Sequence, residues 1–315
     1  MSKLESSIRN LIAVFVSLTV LSSALSPAIG ADDKPGKMIG FAGSVGVQHD
    51  SAVNTQATEN QSNKADWAAL IDLGVSLNAL DREDLGLELS YDFSQSLYDQ
   101  LTTFNFQSHG LAIFVETTRA NFDWNALYGY TRAFVGGQDF LGLHIFQPSV
   151  GRLASSDWYV SAAYSFQKKN FIDADARDAQ LHAGEVTNFI FLNGNTTTLK
   201  LGYRFEHENA SDAEFDYYGN YFKAGLKIPT PLRLTSRSST LSLNYQFDIK
   251  NYTSETAEIG KERLDRRHTA KLAFDVPLYQ HVNIVLEAEY LNTSSNLPSS
   301  DVVQRVYTFS LRSEF

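Results

Sequence analysis

The sequence predicts an all-β protein: a transmembrane, antiparallel, up-and-down β-barrel of about 14 strands, of the bacterial outer-membrane type. Three observations predict this fold. Residues 302–315 alternate apolar or aromatic residues with polar ones, which is the period of a strand with one apolar and one polar face. The same alternation recurs along the chain from residue 38 onwards. The mean hydropathy is only −0.22, as expected when apolar residues are spread by alternation.

The N-terminal residues 1–30 are predicted to be a secretory signal peptide. Lys3 and Arg9 supply the positive start, residues 11–25 are apolar, and Ala28 and Gly30 are small residues at the expected cleavage site. A transmembrane anchor is the alternative, but the apolar run is short and broken by serines. We therefore expect residues 31–37 to be a short periplasmic segment and residues 38–315 to be the barrel, with no room for a periplasmic domain or plug.

Fourteen alternating segments can be marked between residue 38 and the C-terminus. The sixth has Leu141, Leu143 and Ile145 as its apolar face, whereas the eighth, at about residues 179–191, has two mixed faces and leaves its register open. Connections after odd segments are predicted to be long and polar, and those after even segments short. Outer-membrane barrels place long loops outside the cell and short turns in the periplasm.

Aromatic pairs two residues apart end five odd segments, and they predict a belt at the outer lipid–water interface. The pairs are Tyr91/Phe93, Tyr128/Tyr130, Tyr164/Phe166, Tyr203/Phe205 and Tyr245/Phe247. Trp124, Trp158 and Phe315 are predicted to form the lower belt.

The polar faces are predicted to line the lumen, with acids early and bases near the ninth to twelfth segments. The predicted lumen residues are Asp72, Glu88, Asp92, Asp123, Lys200, Arg204, Lys223, Lys227, Asp248, Arg267, Lys271, Asp275, Glu287, Glu289 and Arg312. Walls of opposite sign would set a transverse field across a pore. Alternatively, the charges pair across strands and stiffen a filled lumen. No loop is expected to fold inward as a constriction.

Composition and motifs exclude several functions. The chain has no Cys, which excludes disulfides, thiolate metal sites and thiol catalysis, and no cofactor is expected. The chain has a net charge of −10, and no region of it is basic enough to predict nucleic-acid binding. The seven His are scattered and no GxSxG occurs, so an enzyme embedded in the barrel is not expected. The acidic loops around Asp173 and Asp212 are expected to be solvated. Arg263, Arg266, Arg267 and His268 form a basic cluster suited to lipopolysaccharide phosphates or to local ion pairs.

The C-terminal strand resembles the closing strand of bacterial outer-membrane barrels. Tyr307, Phe309, Leu311 and Phe315 alternate on one face up to the terminal aromatic residue. This resemblance implies that the barrel assembly machinery recognises these residues.

Three stretches resemble the C-terminal barrel of the surface lipoprotein assembly modifier family: residues 294–315, residues 264–268 (LDRRH) and residues 212–229 (DAEFDYYGNYFKAGLKIP). The resemblance covers residues 91–315 and implies a 14-stranded barrel, which matches the number of alternating segments. The family also carries a periplasmic tetratricopeptide domain before its barrel, and this sequence has no such segment. The resemblance therefore predicts a conduit without the client-binding role of that domain.

The resulting hypothesis is an outer-membrane conduit for transport or export of a hydrophilic substrate or a surface protein. A passive porin for small hydrophilic solutes is the second hypothesis and a barrel-embedded enzyme the third. The expected partners are outer-membrane lipid and lipopolysaccharide, the barrel assembly machinery, and a periplasmic helper or an exported client.

Overall fold

The chain folds into one closed antiparallel barrel of 14 strands, each paired with its neighbours in sequence. The computed structural model describes residues 38–55, 60–82 and 84–315, so the predicted signal peptide and the segment 31–37 lie outside the described residues. The strands are β1 Ile39–Asp50, β2 Asp66–Arg82, β3 Leu85–Tyr98, β4 Phe106–Arg119, β5 Phe122–Val135, β6 Gln138–Ser155, β7 Trp158–Phe171, β8 Ala179–Leu192, β9 Thr197–Ala210, β10 Tyr217–Pro229, β11 Thr240–Thr256, β12 Lys261–Tyr279, β13 Val282–Ser295 and β14 Val302–Glu314. The predicted fold class and strand number are confirmed.

Elements outside the barrel wall are short. A two-stranded hairpin, Asn54–Thr55 with Asn60–Gln61, lies in the connection between β1 and β2. Single turns of 3₁₀ helix occur at Thr102–Phe104, Asp175–Arg177, Ala213–Phe215 and Pro298–Ser300. Within the part of the chain that the structure describes, no helix is long and apolar enough to cross a membrane.

Alternation gives most strands an apolar outer surface and a polar inner surface. Tyr307, Phe309 and Leu311 on β14 are exposed on the outside, while Ser310 between them is buried inside. The first aromatic residue of each predicted outer pair is likewise exposed, as are Trp124 and Trp158 at the other end. Because lipid covers this outer surface in a membrane, exposed aromatic residues at the two ends suit the two interfaces.

The apolar face predicted for β6 is wrong, because it points into the barrel. Leu141, Leu143 and Ile145 are 1%, 2% and 5% exposed, whereas Phe146 is 44% exposed. Both faces of β6 are apolar, so alternation alone could not choose between them. The register with β5 decides it: Leu143 pairs with Thr131 and Ile145 with Gly129, on the inner face of that strand. The inner face of β8, left open by the sequence, carries Leu181, Glu185 and Phe189.

The connections do not sort by length as cleanly as predicted. The longer connections follow β1, β3, β7, β9 and β13. They lie at the end of the barrel away from the start of β1 and the end of β14, and we call this end the outer end. The connection predicted at residues 250–265 spans only 257–260, because β11 and β12 continue pairing as far as Thr256 and Lys261. The connection 230–239, after an even strand, is ten residues long.

Pairing between the first and last strands closes the barrel. The register runs from Ala42 opposite Glu314 to Asp50 opposite Val306. Beyond it, the backbone N–H of Phe315 donates to the carbonyl oxygen of Phe41 at 2.8 Å, and the N–H of Phe41 donates back at 3.2 Å. Closure removes both sheet edges, and this satisfies the backbone hydrogen bonds that hydrocarbon cannot satisfy.

Gly46 on β1 tests how tightly this closing pair is packed. A Cβ at Gly46 would stand 2.7 Å from the carbonyl oxygen of Phe309 and 2.9 Å from the Cβ of Ser310. Since contacts this short push the two strands apart, we expect Gly46→Ala to lower the free energy of unfolding by about 1–3 kcal/mol.

Gly184→Ala on β8 is the matched control, since nothing lies within 4 Å of its Cβ position. We expect it to change the free energy of unfolding by about 0.5 kcal/mol or less. Urea unfolding in lipid vesicles, followed by tryptophan fluorescence, measures both variants. Equal losses at the two positions would contradict a tightly packed seam.

Candidate functional site: the barrel lumen

The lumen has one wall of small side chains and one wall of large ones. The inner positions of β1–β4 include Gly40, Ala42, Ser44, Gly46, Gly74, Ser76, Ser90, Ser94, Ser108 and Gly110. The inner positions of β7–β12 include Tyr159, Lys169, Arg204, Glu206, Tyr217, Tyr221, Lys250 and Arg267. Small inner side chains leave space along the β1–β4 wall, and a second space is lined by Ser149, Ser161, Ala163, Ser165 and Ala183 of β6–β8.

Glu206 on β9 is the centre of a buried hydrogen-bond network on the large-residue wall. Its carboxylate accepts from Arg204 Nε at 2.9 Å and from the Tyr217 hydroxyl at 2.9 Å. The Tyr221 hydroxyl also donates to it. All four side chains are almost fully buried. A buried carboxylate is tolerated only when it is paired and hydrogen-bonded, and Glu206 has both kinds of partner.

The network continues to both sides of Glu206. Towards the outer end, Glu208 accepts from Lys169 Nζ at 2.5 Å and from the Tyr217 hydroxyl at 3.0 Å. On the other side, Glu185 lies 2.9 Å from Lys223 Nζ and 3.8 Å from Arg204 Nη1. Lys250 Nζ lies 4.1 Å from the centre of the Tyr217 ring. These contacts join β7, β8, β9, β10 and β11 into one polar wall.

Two further ion pairs lie on β11–β13. Arg267 Nη2 is 2.6 Å from Asp248 Oδ2, directly across the β11–β12 pair, and Asp248 is 2% exposed. Lys271 Nζ is 2.9 Å from Glu287 Oε1. Many of the predicted lumen charges are thus paired across strands. This contact pattern matches the pairing alternative for the wall from β7 to β13.

The early acids form a separate strip on β2 and β3. Asp72 accepts hydrogen bonds from the hydroxyls of Ser44 at 2.7 Å and Ser94 at 2.6 Å. Glu88 and Asp92 follow on β3, where Ser90 lies 3.5 Å from Asp92. We call Asp72, Glu88 and Asp92 the acidic strip. Among the described residues, no ion pair within 4.0 Å joins the strip to a basic side chain.

The acidic strip stands opposite three lysines. β3 and β10 are seven strands apart in the ring of 14, so they lie on opposite sides of the barrel. Lys223 and Lys227 occupy inner positions of β10, and Lys200 occupies an inner position of β9. Lys223 forms an ion pair with Glu185 at 2.9 Å. Opposed walls of unlike charge produce a field across the space between them.

The other predicted lumen residues have local partners or none within bonding distance. Asp123 accepts from the Thr118 hydroxyl at 2.9 Å and the Tyr159 hydroxyl at 3.2 Å. Asp275 accepts from the Asn283 amide at 2.9 Å. Glu289 and Arg312 occupy inner positions of β13 and β14. Within the described parts of the chain, neither forms a side-chain hydrogen bond within 3.5 Å or an ion pair within 4.0 Å.

Several residues of the polar wall were missed by the sequence reading. Glu185 was missed because the register of β8 was left open. Glu206 and Glu208 follow Arg204 at spacings of two, so the alternation that selected Arg204 could have found both. Tyr217 and Tyr221 are one residue out of phase with the outward Tyr218 and Phe222, and this offset was the signal that they point inward.

The first outer connection turns inward, contrary to the expectation that no loop would. Val53 is 1% exposed, and its backbone bonds to Ser62 and Lys64 at 3.0 Å hold the connection in place. Asn54 lines a cavity of about 100 Å³ that opens to solvent, together with Asp248 and Arg267 of β11 and β12. Since β11 is four strands from β1 around the barrel, this connection narrows the outer mouth.

An apolar cluster narrows the same end from another side. The inward Leu141, Leu143 and Ile145 of β6 pack with Ala133 and Phe171. The outer half of the lumen is thus bounded by the first connection, by this cluster and by the polar wall.

The predicted basic cluster on β12 is divided between two faces. Arg263 and Arg267 point inward, where Arg263 pairs with Asp265 at 2.8 Å, whereas Arg266 and His268 are exposed outside. The acidic loop carboxylates bond to their own loops: Asp178 accepts from the Phe171 N–H and Asp216 from the Ala210 N–H. Among the residues described, no group of three or more His, Asp or Glu is arranged to hold a metal ion.

The barrel is similar to solved outer-membrane proteins. OmpT of Vibrio cholerae aligns with a TM-score of 0.53 and 9% identity, over 90% of this chain and 100% of that one. An anion-selective porin from Comamonas acidovorans aligns with a TM-score of 0.48 and 10% identity, over 88% of this chain and 98% of that one. CdiB from Acinetobacter baumannii aligns with a TM-score of 0.47 and 12% identity, over 89% of this chain and 60% of that one. Neither a protein family nor a curated protein matches the sequence. At these identities the likeness shows the fold alone: an outer-membrane barrel.

Because Glu206 is buried, we expect removal of its charge to lower the free energy of unfolding strongly. Glu206→Gln keeps the side-chain size but leaves the buried Arg204 guanidinium without its closest carboxylate. We expect the free energy of unfolding in urea to fall by about 3–5 kcal/mol, as for other broken buried ion pairs.

The exposed pair Arg132–Asp139, whose Nε–Oδ1 distance is 2.7 Å, provides the control. Asp139→Asn breaks a pair that is exposed, so we expect the free energy of unfolding to fall by about 1 kcal/mol or less. A loss of similar size at both carboxylates would show that the Glu206 network does not stabilise the barrel.

Proposed function

We propose that the barrel is a conduit for small hydrophilic solutes, with a lumen narrowed at its outer end and a charge-selective path along the β1–β4 wall. The observation that carries this proposal is the acidic strip on β2 and β3 standing opposite the lysines of β9 and β10. The interior of an outer-membrane barrel is polar, and where it is water-filled its lining residues set selectivity.

The size of the lumen residues supports a narrow path over a wide one. The polar wall of β7–β11 and the ion pairs on β11–β13 project long, mutually bonded side chains into the barrel, and the first outer connection turns inward beside them. The β1–β4 wall offers serine hydroxyls next to three carboxylates. A solute that crosses would therefore contact hydroxyl and carboxylate groups on one side, and lysines on the other.

Export of a surface protein is the second candidate, and the resemblance to surface lipoprotein assembly modifiers suggests it. The narrowed outer end supports this candidate in one respect, since a gated conduit must be closed at rest. Export would require the first connection to move away from β11 and β12 when a client or a periplasmic helper binds.

Single-channel conductance in a planar bilayer separates the two candidates. A steady, ion-selective conductance from the purified barrel alone would support the solute conduit. No conductance, or only brief openings, would contradict it and favour a conduit that waits for a partner.

Charge selectivity should change in opposite directions when the two walls are neutralised. Asp72→Asn with Asp92→Asn removes negative charge from the lumen, so we expect the reversal potential in a salt gradient to shift towards anions. Lys200→Gln with Lys227→Gln removes positive charge, so we expect a shift towards cations.

Each double variant is the control for the other, because both replace two charged side chains with amides. A shift in the same direction for both, or no shift in either, would contradict a path that runs between these two walls.

A further inference from the structure

Six of the seven histidines lie on the outside of the barrel near its outer end. Four of them bond to a tyrosine of the preceding strand through Nδ1: His109 to Tyr91, His144 to Tyr128, His182 to Tyr164 and His268 to Tyr245, at 2.6–3.0 Å. His207 stacks on Tyr218 and His49 contacts Trp67 edge-on. The seventh, His281, is at the opposite end against Phe315.

The tyrosine–histidine pairs are a structural repeat of the hairpins. In each, the histidine stands directly opposite the second aromatic residue of the predicted pair, as His109 does opposite Phe93, and bonds diagonally to the first. The hairpin β9–β10 has the same arrangement with an amide, where the Tyr203 hydroxyl donates to Asn220 Oδ1 at 2.7 Å. The bond satisfies a tyrosine hydroxyl at the lipid interface, and an amide does this as well as an imidazole.

An imidazole adds a property that an amide lacks, because it gains a positive charge between about pH 8 and pH 5. A tyrosine hydroxyl can donate to a neutral Nδ1 or accept from a protonated one, so the pair persists in both states. Protonation would therefore add charge to the outer belt without removing the hydrogen bond that orients the ring.

The charge would accumulate at one arc of the belt, on β6–β9. Lys168 stands directly opposite His144 in the β6–β7 register, and His182 stands directly opposite His207 in the β8–β9 register. These two strand pairs adjoin each other between β7 and β8, and directly opposite residues have Cβ atoms about 4.5–5.5 Å apart. We call His144, Lys168, His182 and His207 the basic arc.

The surroundings of the basic arc contain few opposing charges. His144 faces Tyr128 and Tyr130 of β5, and the nearby Arg132 is paired with Asp139. His182 faces Tyr164 and Phe166 of β7, and His207 faces Tyr218 of β10. The residues outside the arc that stand directly opposite its members are Tyr130, Phe166, Gln180 and Tyr218, and none of them is a carboxylate.

We propose that the basic arc binds the phosphate groups of outer-leaflet lipopolysaccharide, and binds them more tightly when its histidines are protonated. The arc lies on the lipid-facing surface at the outer end, next to the aromatic residues that mark the interface. Phosphates of this lipid lie at that level, and clustered cations with hydrogen-bond donors suit them. The proposal rests on placement in the outer membrane and does not depend on what crosses the lumen.

The test measures binding of bisphosphorylated lipid A to the purified barrel in detergent at about pH 8 and about pH 5.5. The variant His144→Asn with His182→Asn copies the amide found naturally at Asn220, so it keeps the tyrosine bonds and removes both titrating groups. Titration of the lipid itself is common to all variants, so the ratio of wild-type to variant affinity isolates the imidazoles.

We expect that ratio to be close to one at the higher pH and to rise to about fivefold or more at the lower pH, as expected for added charge at an anionic membrane surface. Lys168→Gln should weaken binding at both pH values. His281→Asn, at the opposite end, should behave as wild type.

A ratio that does not change with pH, or an equal effect of His281→Asn, would overturn the proposal. A shift in electrophoretic mobility on heating checks that each variant is folded. If the double variant fails to fold, His207→Asn, whose ring only stacks on Tyr218, replaces it. A wild-type barrel that binds phosphatidylglycerol as tightly as lipid A would also overturn it, since the site would then lack preference for lipopolysaccharide.

Discussion

Closure of the sheet is the constraint on which the rest of this structure depends. A strand in hydrocarbon must find a partner for every N–H and C=O, and only a ring of strands gives each strand two partners. Here β14 returns to β1, and the terminal backbone bonds between Phe41 and Phe315 complete the ring. Once closure is set, alternation assigns every side chain to lipid or to lumen. A single wrong register would expose charges to lipid.

The fold could be predicted from sequence because most strands have one apolar and one polar face. β3 and β14 are examples, and their outward residues are those that the alternation selected. The prediction failed at β6, whose Leu143 and Phe146 make both faces apolar, and the period alone cannot say which face meets lipid. It was also silent on β8, where Glu185 is separated from other charges along the chain and finds Lys223 only through the tertiary fold.

The lumen illustrates what a linear pattern cannot supply. Arg204, Asp248 and Arg267 could be assigned to the inner face one by one, but the partners of a charge are chosen across strands. The Tyr217 and Tyr221 hydroxyls, to which alternation assigned no role, converge on Glu206 from a neighbouring strand. The histidine belt is similar: each bond joins residues 16 to 23 positions apart, and only the hairpin register brings them together.

The unequal walls of the lumen have a geometric consequence. Because long side chains fill the side formed by β9–β12, whereas small side chains recur on β1–β4 and again on β7 and β8, the remaining passage is a crescent set against the side away from β9–β12. A crescent-shaped passage selects solutes by their thickness. A flat, ring-shaped solute can therefore pass where a spherical solute of equal cross-section cannot. The outer arc of the crescent carries the three carboxylates of the acidic strip on β2 and β3. A flexible chain would have to flatten and turn one edge towards that arc in order to pass.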